Sequence, residues 1–86
     1  MDTGKVVYKF PKNSEEEIRF SLRDYKERHY FDVRLWFLTT NGREYHPTRK
    51  GITLSVEHLD ELKKGLERIG EAVSEMALQP ASNSIK

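Results

Sequence analysis

Hydrophobic and polar positions alternate along His29 to Phe37. His29, Phe31, Val33, Leu35 and Phe37 fall on one side of an extended chain, and Tyr30, Asp32, Arg34 and Trp36 on the other. The first side predicts a buried face. The second interleaves aromatic rings with a guanidinium, groups that stack on bases and pair with phosphates as well as facing water. A second alternation begins at Glu15, with Ile18, Phe20 and Leu22 on the core side and Glu17, Arg19, Ser21, Arg23 and Tyr25 opposite. Asp24 to Arg28 reads as a tight connection between these two strands. Upstream, Lys5 to Phe10 predicts a short strand ended by Pro11, followed by a turn over Lys12 to Ser14. Downstream, Asn41-Gly42 centres a turn at Thr40 to Arg43, because both residues tolerate positive φ. The chain then doubles back into a fourth extended run ending at Leu54.

The period changes at Ser55. Ser55 is placed to cap a helix, and Glu57 suits the positive end of its dipole. Leu59, Leu62, Leu66, Ile69, Val73 and Met76 then follow steps of 3, 4, 3, 4 and 3. This is a heptad seam, narrower than the stripe of a helix lying on a sheet, and it favours contact with another helix, such as the same helix of a second subunit. Packing on its own sheet is the competing arrangement. Gly65 and Gly70 each lower helix propensity by about 1 kcal/mol relative to Ala. Residues 1–77 therefore predict one domain and residues 78–86, short and polar around Pro80, a disordered tail.

At 86 residues the chain buries a smaller share of its surface than a large one, so stabilisation by a partner chain fits its size. The absence of cysteine excludes disulfides and thiolate metal sites. His29, His46 and His58 form no pair at helical spacing, so no metal or other cofactor is expected. No apolar run approaches the roughly 20 residues needed to span a bilayer, which predicts a soluble, unprocessed protein with no membrane partner. Phosphate-cradling loops and nucleophile elbows are lacking, and the acidic clusters Glu15-Glu16-Glu17 and Asp60-Glu61 read as solvated faces. Neither enzymatic activity nor a small-molecule substrate is expected.

The net charge of +1 conceals a division. Residues 1–54 carry 11 Lys and Arg against 8 Asp and Glu, whereas residues 55–77 carry 3 against 6, so the sheet is basic by 3 and the helix acidic by 3. Arg19, Arg23, Lys26, Arg28, Arg34, Arg49 and Lys50, with Tyr25, Tyr30 and Trp36, would form a basic face with aromatic platforms. Such a face suits single strands, whose unstacked bases lie on rings while cations follow the backbone. A duplex reader would more often present a basic helix. Gly51, beside Arg49 and Lys50, has no side chain to keep a ligand from the backbone. The plainer alternative is an antiparallel sheet with an ordinary charged surface and Trp36 covered by the helix or a partner subunit.

Pro47-Thr48-Arg49-Lys50-Gly51-Ile52-Thr53-Leu54 resembles the Pro-x-Arg-Lys-Gly-Ile-x-Leu signature of the C-terminal domain of the transcriptional coactivator positive cofactor four and its bacterial and phage homologues. Arg23-Asp24-Tyr25-Lys26 and Phe31-Asp32-Val33-Arg34 are similar to two upstream strand motifs of that family. The resemblance covers about Ile18 to Ile69. It implies an α+β fold, a curved four-stranded antiparallel sheet followed by one C-terminal helix, dimerised through the helices, with single-stranded DNA held across the sheet. It implies contact residues at Tyr25, Lys26, Arg28, Arg34, Arg49, Lys50 and Gly51, a base-stacking aromatic at Phe37 with Trp36 competing for that role, and a dimer interface along Leu59, Leu62, Leu66, Ile69 and Val73. It further implies little sequence specificity and a role in transcription regulation, replication or repair. Location follows the host: cytoplasmic and nucleoid-associated in a prokaryote, nuclear in a eukaryote. Two departures stand out. Glu27 replaces a glycine usual in the family's loop after Lys26, and the serine-rich acidic region of the eukaryotic coactivators is lacking, which makes the chain look more like the prokaryotic members. RNA, melted duplex or an acidic protein partner are the other occupants the basic face admits.

Overall fold

The computed structural model describes residues 3–41 and 43–77. The chain forms β1 (Thr3–Pro11), β2 (Glu16–Tyr25), β3 (Arg28–Leu38), β4 (Tyr45–Ser55), a 3-10 turn (Val56–His58) and helix α1 (Leu59–Ala77). The strands pair antiparallel in sequence order as one open four-stranded sheet, so the expected α+β fold is the observed one. The expected disordered tail, 78–86, lies outside the described residues.

Alternation explains the register. Ile18, Phe20 and Leu22 pair with Leu35, Val33 and Phe31 on one face, while Arg19, Ser21 and Arg23 pair with Arg34, Asp32 and Tyr30 on the other. A shift between Val6 and Tyr8 turns Tyr8 and Phe10 to the apolar face, where both rings meet Phe20 at centroid distances of 5.7 and 6.1 Å. Burial departs from the pattern in two places. Phe31 and Leu35 are the buried hydrophobics among the described residues, and Leu22, Phe37 and Ile52 on the same face remain exposed. His29, expected on the core side, is exposed, and its Nδ1 lies 2.6 Å from Asp24, its register partner. Among the described residues nothing folds over this face, so it is only partly covered.

The tight connection expected over Asp24 to Arg28 is observed. Tyr25 pairs with Arg28 across a two-residue turn in which Lys26 and Glu27 have φ of 50° and 64°. That is the left-handed geometry of a type I′ hairpin, normally given to Asn and Gly. The chain also doubles back between β3 and β4 as expected, although Gly42 of the Thr40 to Arg43 turn lies outside the described residues. There the Thr39 amide donates to the Glu44 carbonyl at 2.9 Å, and the described left-handed residue is Arg43 at φ 56°. Left-handed backbone costs a side-chain-bearing residue about 1–2 kcal/mol, part of which glycine's larger unfolded-state freedom offsets. Glu27→Gly is therefore expected to stabilise the fold by about 0.5–1 kcal/mol, read as a rise of roughly 2–8 °C in a thermal melt.

Ser55 is extended and its side chain makes no capping hydrogen bond, contrary to expectation. The 3-10 turn intervenes, so α1 starts at Leu59, and Asp60 and Glu61 meet the helix dipole in its place. The 3-10 turn packs against β3 and β4, and α1 runs on beyond the sheet in a molecule 50 × 38 × 18 Å across. Its seam stays uncovered: Leu66 is 57%, Ile69 59% and Val73 53% exposed.

Candidate nucleic-acid interface

The polar face of the sheet holds an open groove of about 810 Å³. Arg23 and Tyr25 from β2, Tyr30, Arg34 and Trp36 from β3, and Arg49 from the bulge in β4 all line it. The sheet pleat brings them together, since these positions are separated by even steps on β2 and β3. Of the residues expected at a binding site, Tyr25, Arg34, Trp36 and Arg49 are thus gathered in one place. Lys26 and Arg28 stand at the hairpin tip beyond Tyr25, with the Lys26 ammonium 5.4 Å from the Tyr25 ring centroid.

Phe37 and Lys50 lie apart from this groove. Phe37 follows Trp36 and so faces the opposite side, where it is 43% exposed and pairs in register with Glu16. The Glu16 carboxyl is held below its usual pKa by hydrogen bonds from Asn13 and Lys12, with further help from the charges of Lys12 and Lys50. The charge of Lys50 is thus felt at Glu16, whereas Arg49 lines the groove.

The bulge in β4 is built in detail. Arg34 pairs with Gly51 and Trp36 with Pro47, so Leu35 alone faces the three residues Thr48, Arg49 and Lys50. The Thr48 hydroxyl donates to the Leu35 carbonyl at 2.9 Å and accepts the Lys50 amide at 3.1 Å. A Cβ on Gly51 would come within 2.7 Å of the Val33 carbonyl oxygen and 2.8 Å of Arg34 Cβ and Cγ. Glycine is needed here for the close approach of this chain to itself. Gly51→Ala is expected to cost about 1–3 kcal/mol through overpacking, seen as a lowered melting temperature, because the nearest obstacle is backbone.

Asp32 is the most buried side chain of this face, 3% exposed, although alternation alone placed it on an open surface. Arg34 donates to it from Nη2 at 2.8 Å and Nε at 3.2 Å, and the Thr53 hydroxyl from 2.5 Å. Burial pushes the Asp32 carboxyl up, but the hydrogen bonds from Arg34 and Thr53 and the charges of Arg34 and Arg23 outweigh it, and the net shift is downward. Because the folded pKa is depressed, this stabilisation is present above the unfolded value of about 3.9 and is lost as pH falls through the folded one. Acid unfolding monitored by circular dichroism is expected to lose its Asp32-dependent part below about pH 4.

Trp36 is packed on one side by the Arg19 guanidinium, 4.2 Å from the ring centroid, and Arg19 also lies 5.3 Å from the Tyr45 ring. Glu17 holds Arg19 in place at 2.5 Å. The indole Nε1 is buried without a hydrogen-bond partner. Trp36 is thus the floor of the groove, whereas Tyr25, 51% exposed, offers an accessible ring. Asp32, Thr48, Thr53 and Tyr45 were not singled out from sequence as site-forming residues. Their roles depend on cross-strand register, which the bulge in β4 offsets from simple counting. Among the described residues no cluster of three or more metal-ligating side chains occurs.

A family model described as transcriptional coactivator p15 (PC4) matches residues 12–65, which spans β2, β3 and β4, the bulge and the start of α1. The chain belongs to the PC4 family. PC4 proteins are DNA-binding, coactivator-like proteins with a non-enzymatic nucleic-acid-binding fold. A crystal structure of BPSL1147, a PC4 homolog from Burkholderia pseudomallei, is 35% identical over 79% of this chain and 98% of its own, with a TM-score of 0.73. A second crystal form of the same protein gives a TM-score of 0.72 at the same identity, covering 79% of this chain and 90% of that one. The bacteriophage T5 homolog of PC4, implicated in recombination-dependent DNA replication, matches in fold at a TM-score of 0.60 and 20% identity, over 99% of this chain and 98% of its own.

Proposed function

We propose that this PC4 protein binds single-stranded DNA with little sequence preference, as a homodimer joined through α1, in transcription, replication or repair. The observation that carries the reading is the shared groove of Arg23, Arg49, Tyr25 and Tyr30: guanidinium groups for phosphates beside rings for bases. Backbone contacts of this kind hold a strand without reading its sequence. Phe37 and Lys50 take the strand where it crosses the edge of the sheet, one beneath a base and the other on a phosphate. Arg49 has no ion-pair partner among the described residues, so its charge is available to a ligand.

The dimer reading rests on the exposed seam of Leu66, Ile69 and Val73, which α1 does not turn to its own sheet. Gly65 and Gly70 flank that seam with open space around both, so a partner helix can approach closely there. The test of binding is titration of a labelled oligothymidine at several salt concentrations. Counterion release makes log affinity fall linearly with log salt at about −0.7 per phosphate contact, and Arg49→Ala should flatten the slope by about one such contact. An affinity that ignores salt, or an Arg49→Ala slope equal to that of the native protein, refutes the assignment. Replacing the oligothymidine with oligouridine distinguishes DNA from RNA.

A further inference from the structure

We propose that Asp32 is a positioning residue for nucleic-acid binding, acting through Arg34 and Thr53 to hold the bulged segment Thr48–Lys50 so that Arg49 is presented to the groove. The proposal rests on the single-strand reading of that groove. An aspartate in the middle of a basic face would by itself repel phosphate and weaken binding. Here it is enclosed and neutralised.

The guanidinium of Arg34 is committed inside the protein. Its Nε and Nη2 lie 3.2 and 2.8 Å from the Asp32 carboxylate, its Nη2 also 3.2 Å from the Thr53 hydroxyl, and its Nη1 donates to the Thr48 carbonyl at 3.0 Å. All three nitrogens have internal partners, so Arg34 serves β4 before it can serve a ligand. Thr48 is the first residue of the bulge, and its hydroxyl ties Leu35 behind to Lys50 ahead. The chain then returns flat over the Arg34 side chain at Gly51, where no Cβ fits. A line of direct contacts therefore leads from Asp32 through Arg34 to Thr48, the neighbour of Arg49. An arginine fork held by a carboxylate fixes orientation as well as charge, which a lysine cannot reproduce.

Charge and position predict opposite signs. Asp32→Asn removes an anion from the basic face, so bulk electrostatics alone would tighten single-strand binding. Loss of the clasp instead weakens it, by about tenfold. The experiment measures oligothymidine affinity and its salt slope for the native protein, Asp32→Asn, Arg34→Lys, Arg49→Ala and the Asp32→Asn/Arg49→Ala double variant, each checked for sheet content and oligomeric mass. The expected results are weaker binding by Asp32→Asn with a slope shallower by about 0.7, although its net positive charge is higher. Arg34→Lys should behave alike despite keeping its charge, and the double variant should bind no more weakly than Arg49→Ala. A fold that is merely less stable would leave the slope of the folded fraction unchanged. If Asp32→Asn does not fold, Thr53→Val, which removes one donor and no charge, takes its place in the same cycle. Native protein that binds with Asp32→Asn equal or tighter, or a double variant showing additive losses, overturns the positioning role alone. Native protein that fails to bind overturns the single-strand reading and this proposal with it.

Discussion

Leu66→Asp is expected to abolish the dimer, leaving a species near the 10.1 kDa of one chain in light scattering at micromolar concentration. The native protein should run at twice that mass. Leu66 lies mid-seam between Leu62 and Ile69, and in a helix pair its side chain would be enclosed by the partner. Leaving a carboxylate there without a counter-charge costs about 3–5 kcal/mol, which corresponds to at least a hundredfold weaker association. Ile69→Asp should act similarly. Glu67→Ala, one residue outside the seam, should change mass and melting temperature little. The thin core makes the effect larger, because no described side chain is fully enclosed within one protomer. Loss of the partner should therefore lower the melting temperature as well as the mass. A Leu66→Asp protein with native mass would remove α1 from the interface.

Tyr25→Ala and Phe37→Ala are each expected to weaken oligothymidine binding about tenfold to a hundredfold, measured by fluorescence anisotropy, since a base stacked on a ring contributes about 1–3 kcal/mol. Both rings are about half exposed in the free protein, one beside the groove and the other across the edge strand. Trp36 should behave differently from either. Trp36→Phe keeps a ring for Arg19 to stack on and deletes the indole N–H that has no partner, so fold stability should hold. Trp36→Ala should destabilise the protein by about 3–5 kcal/mol through the cavity it leaves and the loss of Arg19 packing. A large loss of affinity in Trp36→Phe with Phe37→Ala unaffected would exchange the two roles.

The architecture was legible wherever one period ran without interruption. Residues 16–25 and 28–38 alternate cleanly, and both strands, their pairing and the two faces follow. The heptad from Leu59 to Met76 likewise gave the helix and its failure to settle on the sheet. Reading faltered where backbone conformation overrode residue preference. Lys26-Glu27 adopts a tight left-handed turn without Asn or Gly, because the strands on either side of it pair without offset. The site divides in the same way. Tyr25, Arg34, Trp36 and Arg49 were visible as residue types in pattern, and Phe37 falls on the other face by the same alternation, whereas which of Arg49 and Lys50 lines the groove depends on the β4 bulge. Asp32 was hidden for a related reason: a single acid in a charged strand reads as surface until Thr53 and Arg34 are placed against it. Gly51 stands out in the sequence, but the Val33 carbonyl and Arg34 side chain that require it come into view only with the β3–β4 register.

The central claim is that this basic sheet is a single-strand site, and competition tests it most directly. Protein bound to a labelled oligothymidine is challenged with an unlabelled mixed-sequence oligonucleotide, then with the same sequence annealed to its complement, and then with a poly-glutamate peptide of equal charge. Exposed rings gain from unstacked bases, which a duplex keeps within its own stack and a peptide lacks. The account predicts displacement by the single strand at a concentration at least tenfold below that needed for either competitor. Equal displacement by single strand, duplex and acidic peptide would show a face that recognises negative charge alone, and would contradict it.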